Sequence, residues 1–268
     1  MSGPFVETAG GHQLYVRDWG TGDPVVLLSG WAMDSRGWGE VMVRLNKTGL
    51  RTIACDRRGH GRSTDPGRYD YDALADDLAA VLDNLDLEQA TLVGHSGAGG
   101  EIIRYLTRHG SGRVKRVVLV GATGPCMMAT TPDAPGAPPE MAERAIRQLV
   151  EDMPGWIAEN TAPFAPGADE TTLRGLSLMP LDTSRRALVD FQRAILTTDF
   201  TAEARSINVP VTLIHGDTDA SAPVEWTAHR YAELIPHSDL KIYEGAAHGL
   251  MITHAERLSD DIAAACRS

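Results

Sequence analysis

Six short runs rich in apolar and β-branched residues recur along the chain with helical stretches between them: Pro24 to Leu28, Arg51 to Cys55, Ala90 to Val93, Val114 to Val120, Val211 to His215 and Leu240 to Tyr243. Strands separated by helices pair in parallel through right-handed crossovers, so the pattern predicts an α/β fold on a mostly parallel sheet. The clearest helix, Tyr71 to Leu85, puts Leu74, Leu78, Val81, Leu82 and Leu85 on one face. A second helix is expected from Gly97 to His109, with Gly110 as its stop. Before the first parallel strand, Gly11 to Trp19 reads as an antiparallel hairpin partner.

At 268 residues, one such domain with a modest insertion is the natural expectation. The composition changes between Gly124 and Ser206. Pro132, Pro135, Pro138 and Pro139 punctuate a linker over Thr130 to Pro139, and helices follow at Glu140 to Asp152 and Ser184 to Leu196 with no strand between. We therefore expect a core of residues 1–124 and 207–268 and a helical cap of residues 125–206. The cap would cover the sheet's C-terminal edge, where open α/β sheets bind ligands.

Several function classes are disfavoured. The formal charge of −11 opposes a phosphate-binding footprint, and the single basic cluster, Arg57-Arg58-Gly59-His60-Gly61-Arg62, is too short to track a nucleic-acid backbone. Cys55, Cys126 and Cys266 form neither a zinc motif nor a disulfide framework, which suits a reducing cytoplasm. Neither a leader-like N-terminus nor an 18-residue apolar span is present, so no membrane partner is expected.

The chemistry is carried by Val93-Gly94-His95-Ser96-Gly97-Ala98-Gly99-Gly100, which joins an apolar strand to a helix. A serine hydroxyl attacks only when it is exposed, aimed and deprotonated, and a sharp strand-to-helix turn supplies the first two. Gly94, Ala98 and Gly99 leave the room that such a turn needs. A base and an orienting carboxylate must complete the site. His248 lies in the small-residue loop Gly245 to Gly249 after the last strand, and Asp217 and Asp219 follow the strand before it. Asp219, two residues farther from the strand end and just before Ala220-Ser221-Ala222-Pro223, is the better acid, leaving Asp217 to brace the loop. His254 is read as starting or capping the C-terminal helix, His60 and His215 as structural, and His95 as pointing away from the cavity. For the oxyanion, the expected donors are the backbone N–H of Gly97 and of Trp31, with Gly30 allowing close approach. No cofactor or metal is called for.

These motifs resemble the α/β-hydrolase superfamily. The string Cys55-Asp56-Arg57-Arg58-Gly59-His60-Gly61-Arg62-Ser63, the Gly94-His95-Ser96 elbow and Glu244-Gly245-Ala246-Ala247-His248-Gly249-Leu250 carry the likeness, and the group of cofactor-free haloperoxidases, bacterial arylesterases and perhydrolases is nearest. The resemblance implies an eight-stranded sheet with a helical cap after the sixth strand, Ser96, Asp219 and His248 as the triad, and Trp31 and Gly97 at the oxyanion. Two departures stand out: Ser29-Gly30 replaces His-Gly, and Ala32 replaces a proline after the tryptophan. The second favours simple hydrolysis over peracid formation.

Gly30, Met33, Met127, Met128, Trp156, Phe164, Met179 and Leu250 are expected at the pocket and suggest an apolar or aromatic ester or lactone; ordinary cap core is the plainer alternative for each apolar side chain. Ser96 argues against dehalogenase or epoxide hydrolase chemistry, which needs a carboxylate at the elbow. Lactonase, amidase or lactamase, carbon–carbon hydrolase and perhydrolase activities remain open, as does homo-oligomer formation; a non-catalytic binding role fits the intact triad poorly.

Overall fold

The computed structural model describes residues 3–131 and 134–267; Pro132 of the expected linker lies outside them. The strands are β1 (Phe5–Glu7), β2 (Gln13–Trp19), β3 (Pro24–Leu28), β4 (Arg51–Cys55), β5 (Ala90–His95), β6 (Val114–Val120), β7 (Val211–Gly216) and β8 (Asp239–Tyr243). The helices are α1 (Gly39–Lys47), α2 (Tyr71–Asn84), α3 (Ala98–His109), α4 (Pro139–Glu151), α5 (Met153–Phe164), α6 (Glu170–Leu178), α7 (Arg185–Thr197), α8 (Thr201–Arg205), α9 (Ala228–Leu234), α10 (Leu250–Thr253) and α11 (Ala255–Arg267).

The eight strands form one sheet in the order β1-β2-β4-β3-β5-β6-β7-β8, parallel from β4 to β8. The segment read as a hairpin partner, β2, pairs antiparallel with β1 and with β4 rather than with the β3 that follows it. The sheet is buried on both faces because side chains alternate along each strand. Val26 and Leu28 of β3 join Leu74, Leu78 and Ile102 of α2 and α3 on one face, whereas Val25 and Leu27 join Val41, Leu45, Leu258 and Ile262 of α1 and α11 on the other.

Local signals fix the helix ends. Asp70 accepts from the Ala73 N–H at the start of α2, Ser184 from the Ala187 N–H at the start of α7, and Gly110 closes α3 with a φ of 78°. His254 sits between α10 and α11 and accepts from the Leu258 N–H, as a residue starting the last helix should. Among the described residues five helices, α4 to α8, stand between β6 and β7, three more than the periodicity predicts. Side chains of α4 to α7 line one cavity together with Ser96 and His248. Among the described residues no helix is long and apolar enough to cross a membrane, and the three thiols are buried and unpaired.

Candidate active site

At the end of β5 the chain reverses into α3 at Ser96, whose φ of 55° is a strained value for a residue with a side chain. The turn is held by the Ser96 N–H donating to Val120 O (3.0 Å) and by Ser96 O accepting from Gly99 N (3.0 Å) and Thr123 N (3.2 Å). Small residues permit this. A Cβ on Gly94 would stand 2.9 Å from the Ala98 carbonyl oxygen, and one on Gly99 2.7 Å from the Ala122 Cβ.

Asp219, beyond the end of β7, accepts four hydrogen bonds or close contacts with one carboxylate. Its Oδ1 takes the Ser221 N–H (2.9 Å) and Ala222 N–H (2.8 Å), while Oδ2 takes His248 Nδ1 at 2.6 Å and faces His215 Nε2 at 3.3 Å. His215 Nε2 also lies 2.7 Å from the Ala222 carbonyl, so that nitrogen carries the proton. Burial pushes the Asp219 carboxyl upward, but the charge of His248 and the hydrogen bonds from His215 and His248 outweigh it and hold the group well below the usual carboxylate range. Asp217 is turned elsewhere, accepting the Gly245 N–H at 2.7 Å and bracing the histidine loop.

His95 is not turned away from the site. Its Nε2 donates to the His248 carbonyl at 3.1 Å and its ring centroid lies 4.6 Å from that of His248, within the floor of the cavity. Strand alternation does not extrapolate through a residue that abuts a left-handed turn. Burial, reinforced by the charge of His248, lowers the His95 pKa well below its ordinary value, so the ring stays neutral.

Ser96, His95 and His248 open onto a cavity of about 390 Å³ between the sheet edge and helices α4 to α7, a size suited to a small ligand. Of the residues expected at the pocket, Met33, Met127, Trp156 and Phe164 line it, joined by Trp31, Leu149, Ile195, Leu196 and Trp226. Among the described residues, no Asp, Glu, Lys or Arg lines this cavity. The remaining pocket expectations are corrected. Leu250 is fully buried with Tyr243, Ala246 and Met251, Met179 packs with Ala165 and Leu176, and Met128 lies against the main core. Gly30 sits beneath the site, where a Cβ would stand 2.6 Å from His95 Nδ1 and 2.9 Å from the Ser96 Cβ. A wider, open groove of about 890 Å³ runs beside α11, is lined largely by charged side chains such as Arg44, Glu256 and Asp260, and touches none of these residues.

The loop after β3 turns tightly, with Met33 N–H donating to Gly30 O at 3.3 Å and Ala32 at a φ of 61°. Among the described residues, neither the Trp31 nor the Gly97 backbone N–H has a hydrogen-bond partner. The Trp31 indole is committed to the wall, donating to Leu188 O at 2.8 Å and meeting the Trp156 ring edge-on at 4.8 Å. Many cavity residues escaped sequence reasoning, Gln192 and Trp226 among them. Gln192 interrupts the apolar face that Leu188, Ile195 and Leu196 form on α7, a periodicity signal that could have flagged it. Trp226, between Pro223 and α9, carries no such signal.

Comparison with known proteins agrees with this architecture. Residues 23–255 match a family model described as the alpha/beta hydrolase fold. The chain is 35% identical over 267 residues to a non-heme haloperoxidase of Rhodococcus erythropolis, covering 97% of each, and 35% identical over 274 residues to a bifunctional esterase/perhydrolase of Acinetobacter calcoaceticus, covering 98% and 99%. The crystal structure of a bromoperoxidase from Bacillus anthracis superposes with a TM-score of 0.94 at 32% identity, covering 98% of this chain and 99% of that one. With this sheet order, the elbow at the end of β5, and a family match across most of its length, the chain belongs to the α/β-hydrolase family.

Proposed function

We propose that the protein is a serine hydrolase that cleaves small, uncharged carboxylic esters, including aryl esters and lactones, through an acyl-enzyme. The observation that carries this reading is the 2.6 Å bond between His248 Nδ1 and Asp219 Oδ2 at a cavity that the strained Ser96 also lines. With Nδ1 donating to the carboxylate, His248 keeps Nε2 unprotonated and able to accept the Ser96 proton. Ser96 Oγ then adds to the ester carbonyl. The oxyanion is met by the N–H groups of Trp31 and Gly97. Collapse breaks the carbon–oxygen bond to the alcohol, which leaves with the proton held by His248. Water, deprotonated by the same histidine, adds to the acyl-enzyme and releases the acid and Ser96.

Among the described residues the cavity lining carries no charged side chain, which supports a neutral substrate, because a buried carboxylate without a cation would be strongly disfavoured. The names of relatives support both ester hydrolysis and peracid formation. Ala32 favours the former: its φ of 61° is inaccessible to proline, so this loop differs from one that carries proline at that position. The test is turnover of a panel of phenyl and short-chain alkyl esters, lactones and amides, with acetate and hydrogen peroxide as a parallel assay. Ester or lactone turnover lost in Ser96→Ala is expected. Peracid formation faster than every hydrolysis would displace this reading.

A further inference from the structure

The arginine pair at the start of the basic cluster is buried, and its two members do different things. Arg58 forms a two-toothed pair with Asp77 on α2, Nε and Nη2 each 2.6 Å from a carboxylate oxygen. Arg57 instead stands between the loop after β3 and the helix that follows Ser96. Its Nε and Nη2 donate to Glu101 Oε2 on α3 at 3.0 and 2.8 Å, with both side chains about 5% exposed. The same Nη2 donates to Ser29 O at 2.7 Å, and Nη1 reaches Gly30 O at 3.4 Å. The guanidinium lies 4.6 Å from the centroid of the Phe191 ring on α7, and Phe191 also sits where a Cβ on Gly97 would be, at 3.1 Å.

A trans peptide points its C=O and its N–H in opposite directions. Holding the Gly30 carbonyl toward Arg57 therefore turns the Trp31 N–H away from the guanidinium, and anchoring Glu101 fixes α3, the helix whose N-cap is Gly97. We propose that Arg57, acting with Glu101, is a positioning residue that sets the direction of the Trp31 donor and its separation from the Gly97 donor. This rests on the ester-hydrolase reading, in which those two N–H groups hold the oxyanion. Only arginine can do it. A lysine could neutralise Glu101 but has no planar fork with which to reach the carboxylate and two carbonyls together.

The test compares Arg57→Lys, Arg57→Met and the charge-free double variant Arg57→Met/Glu101→Met with a structural control, Arg58→Met/Asp77→Met, on p-nitrophenyl acetate. A trifluoromethyl ketone serves as a mimic of the tetrahedral state, and circular dichroism selects folded protein. Misaligning one oxyanion donor should lower kcat about 10²- to 10³-fold with KM changed less than about threefold, and weaken ketone binding by a similar factor. The double variant keeps the test valid should Arg57→Met alone leave Glu101 charged, unpaired and the protein unfolded. The control should lower the melting temperature while keeping kcat within about threefold. Folded Arg57 variants that retain kcat and ketone affinity would overturn the positioning role and leave the ester-hydrolase reading standing. A wild type inert toward the ester and untouched at Ser96 by a fluorophosphonate would overturn both.

Discussion

Replacing Asp219 by asparagine should disable the protein without unfolding it, and the hydrogen bonds around the carboxylate say why. Oδ1 is held by two backbone donors, Ser221 N–H and Ala222 N–H, so the asparagine oxygen must take that position. Its NH2 group is then forced into the place of Oδ2, 2.6 Å from His248 Nδ1. A donor there makes Nδ1 the acceptor and moves the ring proton to Nε2, where it can no longer take the proton of Ser96. The wrong tautomer in a triad of this kind costs on the order of 10⁴-fold in kcat, about 5 kcal/mol of transition-state stabilisation. Hydrolysis of p-nitrophenyl acetate by Asp219→Asn should accordingly fall about 10⁴-fold in kcat with KM within a few-fold. An Asp219→Asn enzyme within tenfold of wild type in kcat would refute the tautomer argument.

Two further outcomes follow from the buried groups and the loop. His60 is fully buried, and burial followed by the charge of Arg57 lowers its pKa from 6.5 to about 3. Its folded pKa lies below the unfolded one, so stability is whole above pH 6.5 and declines toward pH 3 by about 1.4 kcal/mol per pH unit from this group; melting temperature against pH should be flatter in His60→Gln, and an unchanged slope would contradict this. Asp219, whose folded pKa is depressed, adds its own loss below about pH 4. At Ala32, a glycine accepts the positive φ and should keep kcat within about twofold, whereas proline is fixed near −65° and should cost at least about tenfold; equal activity of the two variants would show that the turn does not matter.

What the sequence revealed and what it hid divide along physical lines. Strands β3, β4 and β6 are legible to the residue because two-sided burial favours apolar runs such as Val25 to Leu28, Ile53 to Cys55 and Val117 to Val120. β1 is three residues long with only Val6 buried, too little to stand out. α5 hides behind Pro154, Gly155 and Pro163, and α6 carries Gly175 within it; both are helical because Met153 and Leu176 pack inward, a tertiary reason that local pattern does not express. The residues Ser96, Asp219 and His248 could be singled out because each follows a strand end in a loop of small or acidic residues. Apolar character alone could not say which way a side chain points, so Met179 and Leu250 were expected at the cavity although they fill core beside it. The basic cluster is read from the sequence only as too short to track a nucleic-acid backbone, and nothing in it signals that Arg57 and Arg58 are buried against Glu101 and Asp77.

The central claim is that the Ser96 hydroxyl is an activated nucleophile, and covalent capture tests it most directly. A fluorophosphonate applied to the folded protein at neutral pH, followed by digestion and peptide mass mapping, should place a single phosphonyl adduct on Ser96, with labelling slowed by orders of magnitude in His248→Ala. An unlabelled Ser96, or labelling unaffected by loss of His248, would contradict the account.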